Sequence, residues 1–206
     1  MTRLHAIVDV DVAQRAGWTA VDLAHAFLDG GATLIQIRAK TLPSGPFLDI
    51  CDAVVTRAEP FGASIVVNDR ADLALMSGAA GVHVGQDDLP PVDARRLLGP
   101  AAIVGYSTHT TGQIDRAVTS PATYIAVGPI FGTTTKDTGY AAVGLELVRK
   151  AVTRAGGRPV VAIGGITLER AASVIAAGAS AVAVIGDLLA TKDPAGRARS
   201  YLEALA

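Results

Sequence analysis

The sequence predicts an α/β protein, a single-domain (β/α)8 TIM barrel over residues 1–206. Three observations carry this expectation. Eight short apolar runs recur along the chain, a helical pattern follows each of them, and polar residues stand just beyond many different runs instead of gathering at one.

The apolar runs cover residues 4–8, 34–37, 65–67, 82–84, 102–104, 124–127, 160–163 and 181–185. Apart from His5, Gln36 and His83 they are apolar and rich in Val and Ile, and the period-two alternation of a half-exposed strand is mostly missing. That suits parallel strands covered on both faces. Helical spacing follows at 20–28, 46–58, 69–76, 93–98, 113–118, 145–153, 168–176 and 195–204. A repeated punctuation separates helix from strand: Asp29-Gly30-Gly31-Ala32, Ser77-Gly78-Ala79-Ala80 and Ala177-Gly178-Ala179-Ser180. Glycine there fits a left-handed residue closing a helix. An open doubly wound sheet would use the same units, but its polar residues would collect at a switch point; their dispersal favours a closed barrel.

Composition narrows the function classes. At 206 residues and 50% hydrophobic content, the chain can bury about two-thirds of its unfolded surface. The net charge is -1 with both signs mixed along the chain, which leaves no basic face for nucleic acid or an anionic membrane. An anionic substrate must then be held by local groups. Residues 1–8 lack the charged start and long apolar run of a secretory signal, and no apolar stretch reaches about 18 residues. A cytoplasmic protein is therefore expected. The single cysteine, Cys51, has no disulfide or zinc-knuckle partner and reads as helix packing.

The positions following the strands carry the chemistry. Gln36, Arg38 and Lys40 alternate, so they point one way if the extended conformation persists. Two cations at a barrel mouth suit a diphosphate, although a polar strand end is the plainer reading. Asn68 and Asp69 end strand 3, and Gly85-Gln86-Asp87-Asp88 follows strand 4. Neighbouring carboxylates beside a diphosphate suggest magnesium. Helix capping by Asp69 and Asp88 is the alternative. Ser107, Thr108 and His109 follow strand 5.

A long segment after strand 6, 128–139, offers Thr133, Thr135 and Lys136; it reads as a lid or binding loop, or as a solvated turn. Gly164-Gly165-Ile166 and Ile185-Gly186 follow strands 7 and 8, the usual phosphate-binding place of this fold. His109 lies at the site end and suits proton transfer, His83 suits a hydrogen-bonded interior position, and His5 and His25 read as structural or exposed. Neither a hydrolytic triad nor a dinucleotide fingerprint is present.

In order and placement, Gln36-Ile37-Arg38-Ala39-Lys40, Asn68-Asp69-Arg70-Ala71-Asp72-Leu73-Ala74, Gly81-Val82-His83-Val84-Gly85-Gln86-Asp87-Asp88, Gly105-Tyr106-Ser107, Gly128-Pro129-Ile130-Phe131 with Thr133, Thr135 and Lys136, and Ala162-Ile163-Gly164-Gly165-Ile166 resemble the thiamine-phosphate synthase family. The resemblance spans nearly the whole chain. It implies a magnesium-dependent transferase that joins 4-amino-5-hydroxymethylpyrimidine diphosphate to a thiazole phosphate and releases diphosphate.

Carried over by matching position, Gln36, Ile37, Arg38, Ala39, Lys40, Asn68, Ser107 and Lys136 would contact the pyrimidine diphosphate. Arg38, Lys40, Ser107 and Lys136 would be catalytic among these. Asp69 and Asp88 would hold Mg2+, and Thr133, Thr135, Gly165, Ile185 and Gly186 the thiazole phosphate. Gly186 and Gly132 depart from the serine and proline common in relatives.

The implied chemistry needs no protein nucleophile: diphosphate leaves a pyrimidine methylene of cation-like character, and the thiazole nitrogen attacks it. Two further readings are a thiazole tautomerase centred on His109 and a non-catalytic phosphate-binding regulatory barrel. The joint presence of Arg38, Lys40, Asp69, Asp88 and Lys136 argues against the first, and the second would not need the metal carboxylates. Expected partners are small phosphorylated molecules, not nucleic acid or membrane, and the sequence leaves a homo-oligomer open. Residues 129–140 are expected to act as a lid that orders over bound substrates.

Overall fold

All eight apolar runs form strands, and the strands close on themselves in chain order. β1 (Leu4–Asp9), β2 (Leu34–Arg38), β3 (Ser64–Asn68), β4 (Gly81–Val84), β5 (Ile103–Thr108), β6 (Tyr124–Val127), β7 (Val160–Ile163) and β8 (Ala181–Val184) are parallel, and β8 returns to pair with β1. The computed structural model describes residues 2–132 and 141–206. Around the barrel lie α1 (Val10–Arg15), α2 (Ala20–Asp29), α3 (Ser44–Ala58), α4 (Ala71–Met76), α5 (Pro91–Leu98), α6 (Thr111–Thr119), α7 (Gly144–Arg154), α8 (Leu168–Ala176) and α9 (Pro194–Ala204). No helix among the described residues is long and apolar enough to cross a membrane.

Strand alternation sorts the side chains into two cores. Leu4, Ala6 and Val8 of β1 point outward into the same core cluster as Phe27 of α2, Phe47 of α3 and Tyr201 of α9. Cys51 lies in this layer, as its placing in a helical run predicts. Each aliphatic or Phe side chain fully buried there contributes about 1.5–3 kcal/mol relative to exposure. The inner cluster holds Ile7, Tyr124, Val161 and the small residues Ala126, Ala181 and Ala183. Small side chains on the inner face leave the barrel unfilled toward the strands' C-terminal ends, which is where a cleft opens.

Several boundaries differ from expectation. β5 runs on from Val104 through Gly105-Tyr106-Ser107-Thr108 and pairs with Tyr124–Val127, so Ser107 and Thr108 lie within the strand, not after it. Polar residues facing a partly polar interior hid this extension. β8 ends at Val184, leaving Ile185 outside it. The short α1 was not expected; Asp9 caps it by accepting from the Val12 N–H at 3.1 Å.

Residue 69 does not open a helix. Asp69 adopts φ +64°, the one non-glycine residue with positive φ among those described, and α4 begins at Ala71. Neither Asp69 nor Asp88 caps a helix: Arg70 and Pro90 occupy the capping positions of α4 and α5. By contrast, Gly31, Gly78 and Gly178 have φ +90°, +67° and +102° just beyond their helices, matching the repeated punctuation. Thr133, Thr135 and Lys136, with most of the expected lid, fall outside the described residues.

Candidate active site

A cleft of about 710 Å3 opens at the C-terminal ends of the strands and brings together Gln36, Arg38, Lys40, Asn68, Asp69, Asp88, Ser107, Gly165, Ile185 and Gly186. Ile37 and Ala39 do not line it. Alternation turns Ile37 into the helix-facing core, fully buried, and Ala39 packs against the same layer. The side chains expected there are thus restricted to residues 36, 38 and 40 of that run.

At one end of the cleft, cations and carboxylates interlock. Arg38 forms an ion pair with Asp9, a buried residue that sequence reading missed. Its signal was a carboxylate directly after an apolar run. Lys40 forms an ion pair with Asp69. The Asp69 backbone N–H donates to the His83 carbonyl at 2.8 Å, fastening the left-handed turn; aspartate tolerates that region better than most residues. Asp88 accepts from the Gly85 N–H at 2.7 Å, which folds the 85–88 turn back so that its carboxyl meets that of Asp69. Burial raises the Asp69 pKa above the usual carboxylate value, Lys40 opposes this, and Asp88 adds to it. Two adjoining carboxyls carry a full negative charge together only at a cost. Such a pair fits magnesium, which needs one or two carboxylates beside water and substrate phosphate.

The floor of the cleft is a buried polar layer. His83 Nδ1 lies 2.8 Å from the Tyr124 hydroxyl, and His83 Nε2 lies 2.8 Å from Ser107 Oγ. The His83 and Tyr124 rings stack at 5.6 Å, and His5 meets Tyr124 edge-on at 5.7 Å. Burial pushes the Tyr124 phenol pKa up, against a hydrogen bond from Gln36, so the group stays neutral. Glycine at 105 makes this layer possible. A Cβ there would stand 2.3 Å from the Tyr124 hydroxyl and 2.4 Å from His83 Nδ1.

His83 therefore fills the hydrogen-bonded interior position expected of it. His109 lines the cleft wall with Nδ1 2.5 Å from the Gly128 carbonyl oxygen, and His25 is exposed beside Asp29. Gln86, also missed as a site residue, donates to the Ser107 carbonyl at 2.7 Å.

Opposite lies the glycine loop. Gly164 and Gly165 adopt φ +103° and +62°. A Cβ on Gly165 would stand 2.4 Å from the Gly132 carbonyl oxygen. The chain after β6 runs against this loop, with Ile130 N–H donating to the Ile163 carbonyl at 2.8 Å and Phe131 N–H to that of Gly164 at 2.9 Å. Gly186 begins a short 3-10 helix, Gly186–Leu189. Next to it, the Asp187 carboxylate accepts from Leu168 N–H at 3.1 Å, Tyr201 hydroxyl at 2.6 Å and Arg197 Nη2 at 2.7 Å. These bonds tie the loop after β8 to the start of α8 and to the inner side of α9.

The architecture and residue order agree with known proteins. The family described as thiamine monophosphate synthase matches residues 4–188. A thiamine-phosphate synthase of Koribacter versatilis is 44% identical, covering 100% of this chain and 96% of its own length. One from Roseiflexus castenholzii is 41% identical, covering 90% of this chain and 81% of its own. The solved thiamine phosphate pyrophosphorylase of Pyrococcus furiosus superposes with a TM-score of 0.87 at 29% identity, covering 98% of this chain and 95% of that one.

Proposed function

The chain belongs to the thiamine-phosphate synthase family, and from that premise we propose that it condenses 4-amino-5-hydroxymethylpyrimidine diphosphate with 4-methyl-5-(2-phosphoethyl)thiazole, or its carboxylated form, to give thiamine phosphate and diphosphate. The observation that carries this reading is one cleft with paired cations and adjoining carboxylates at one end and a glycine loop at the other. Two phosphorylated molecules need those two ends.

In this reading Arg38 offers the diphosphate a planar fork and Lys40 a compact charge, with Lys136 contributed from the loop after β6. Asn68 adds a polar contact beside them. Gln36 and Ser107 orient the pyrimidine over the His83–Tyr124 layer. Asp69 and Asp88 would hold magnesium, which supplies charge neutralisation for the departing diphosphate. Backbone N–H groups of Gly165, Ile185 and Gly186, with Thr133 and Thr135, hold the thiazole phosphate so that its ring nitrogen faces the pyrimidine methylene. Alignment of two bound substrates and cations set around a leaving anion supply the rate.

Incubating the protein with both substrates and magnesium should yield thiamine phosphate and diphosphate in equal amounts, read by chromatography. Isomerisation of a thiazole phosphate without any coupling would support the tautomerase reading instead.

A further inference from the structure

Among the described residues, the arginines and lysines that line the cleft are Arg38, Lys40 and Arg170. Arg38 and Lys40 each face a carboxylate. Arg170 forms no ion pair with any described residue. Its guanidinium rests with Cζ 5.0 Å from the centre of the Phe131 ring, and its Nη1 donates to the Gly165 carbonyl at 3.3 Å, a long and weak hydrogen bond.

The carboxylates nearest in sequence are directed elsewhere. Asp187 is taken up by Arg197, Tyr201 and the Leu168 N–H, and Glu169 faces Arg197 at 3.6 Å. Arg170 also stands in the first turn of α8, where the helix dipole disfavours a cation and favours an anion. Among the described residues, the cleft wall that carries Gly164, Gly165, Thr167 and Gly186 thus holds a positive charge without a paired counter-charge.

We infer that Arg170 is a specificity-determining residue that reads the phosphate of the second substrate and rejects its unphosphorylated alcohol. This rests on the two-phosphate reading above. The aromatic face and the Gly165 carbonyl hold the guanidinium beside the loop while no anion is present, and a phosphate offers it a charge-assisted, two-pronged contact that a neutral carbonyl does not.

Steady-state kinetics of the wild type, Arg170→Gln and Arg170→Lys with thiazole phosphate and with the thiazole alcohol test it. For Arg170→Gln the ratio of kcat/KM for phosphate over alcohol should fall at least about tenfold, the loss of one charge-assisted hydrogen bond. The KM for pyrimidine diphosphate should move by less than about twofold, and Arg170→Lys should recover part of the ratio. An unchanged ratio in Arg170→Gln, or equal losses with both thiazoles, overturns the inference. Calorimetric titration with inorganic phosphate gives an answer that does not depend on turnover: weaker binding to Arg170→Gln by about tenfold supports the inference, and equal binding overturns it. A wild type that forms no thiamine phosphate would instead overturn the proposed reaction, and the phosphate titration would still decide the role of Arg170.

Discussion

Asp9 and Arg38 are register partners at the ends of β1 and β2, and their side chains close an ion pair at the edge of the cleft with the Asp9 side chain only 4% exposed. The same carboxylate caps α1 through the Val12 N–H. One buried group thus aims the arginine and ends the strand, so that Arg38 meets a substrate with its fork already oriented.

Asp9→Ala should destabilise the fold by about 2–4 kcal/mol, since a cap and one partner of a buried pair are lost together. Asp9→Asn keeps an acceptor for Val12 and should cost less, yet raise the KM for pyrimidine diphosphate. Urea melts and steady-state kinetics on the two variants separate the roles; equal stability losses would show that the cap contributes nothing.

The carboxyl pair makes a prediction of opposite sign for stability and activity. Because the Asp69 pKa is raised in the fold above its value of 3.8 in the open chain, the folded state binds this proton more tightly. The associated stabilisation is full below 3.8 and is lost as pH rises through the folded pKa. Asp88→Asn removes the like charge while keeping an acceptor for Gly85. The metal-free variant should therefore melt no lower than the wild type at neutral pH, while turnover falls and magnesium raises its Tm less. A variant fully active without added metal would remove Asp88 from the metal site.

Gly105→Ala should cost about 1–3 kcal/mol by overpacking, because the added methyl falls on the Tyr124 hydroxyl and His83. Ser107 should shift with His83, lowering kcat. Gly112→Ala in α6 is the control: its Cβ would meet only Arg116 Nη1 at 4.0 Å, so stability should hold or rise by about 0.5–1 kcal/mol. If thermal melts put the two variants level, the close approach at Gly105 is not structural.

At the thiazole end, Gly165→Val would collide with Gly132 and Phe131 and misfold the loop, so binding is better probed through Asp187. Asp187→Ala should cost about 3 kcal/mol as Arg197 loses its nearer and more buried partner. The KM for thiazole phosphate should rise with it, because the loop holding Gly186 is released. Tyr201→Phe removes one hydrogen bond to Asp187 and should cost about 1 kcal/mol. A KM unmoved by Asp187→Ala in a folded protein would place phosphate binding away from this loop.

Sequence alone determined the eight strands, their parallel order and the end of the barrel that carries the site. Apolar runs, helical spacing and post-helix glycines are local signals, set by side-chain burial and backbone conformation within a few residues. The alternation of Gln36, Arg38 and Lys40 was legible for the same reason, and alternation also explains why Ile37 and Ala39 turn away.

Partnerships were decided only by tertiary structure. Arg38 meets Asp9 and Lys40 meets Asp69 across 29 residues of chain in each case, through a barrel register that no local pattern encodes. The polar end of β5, the left-handed turn at Asp69 and the need for glycine at 105 likewise follow from what lies across the barrel. Local sequence sets which face a side chain occupies; closure of the sheet brings distant faces within hydrogen-bonding distance, and at that range charge, sterics and desolvation choose the partner.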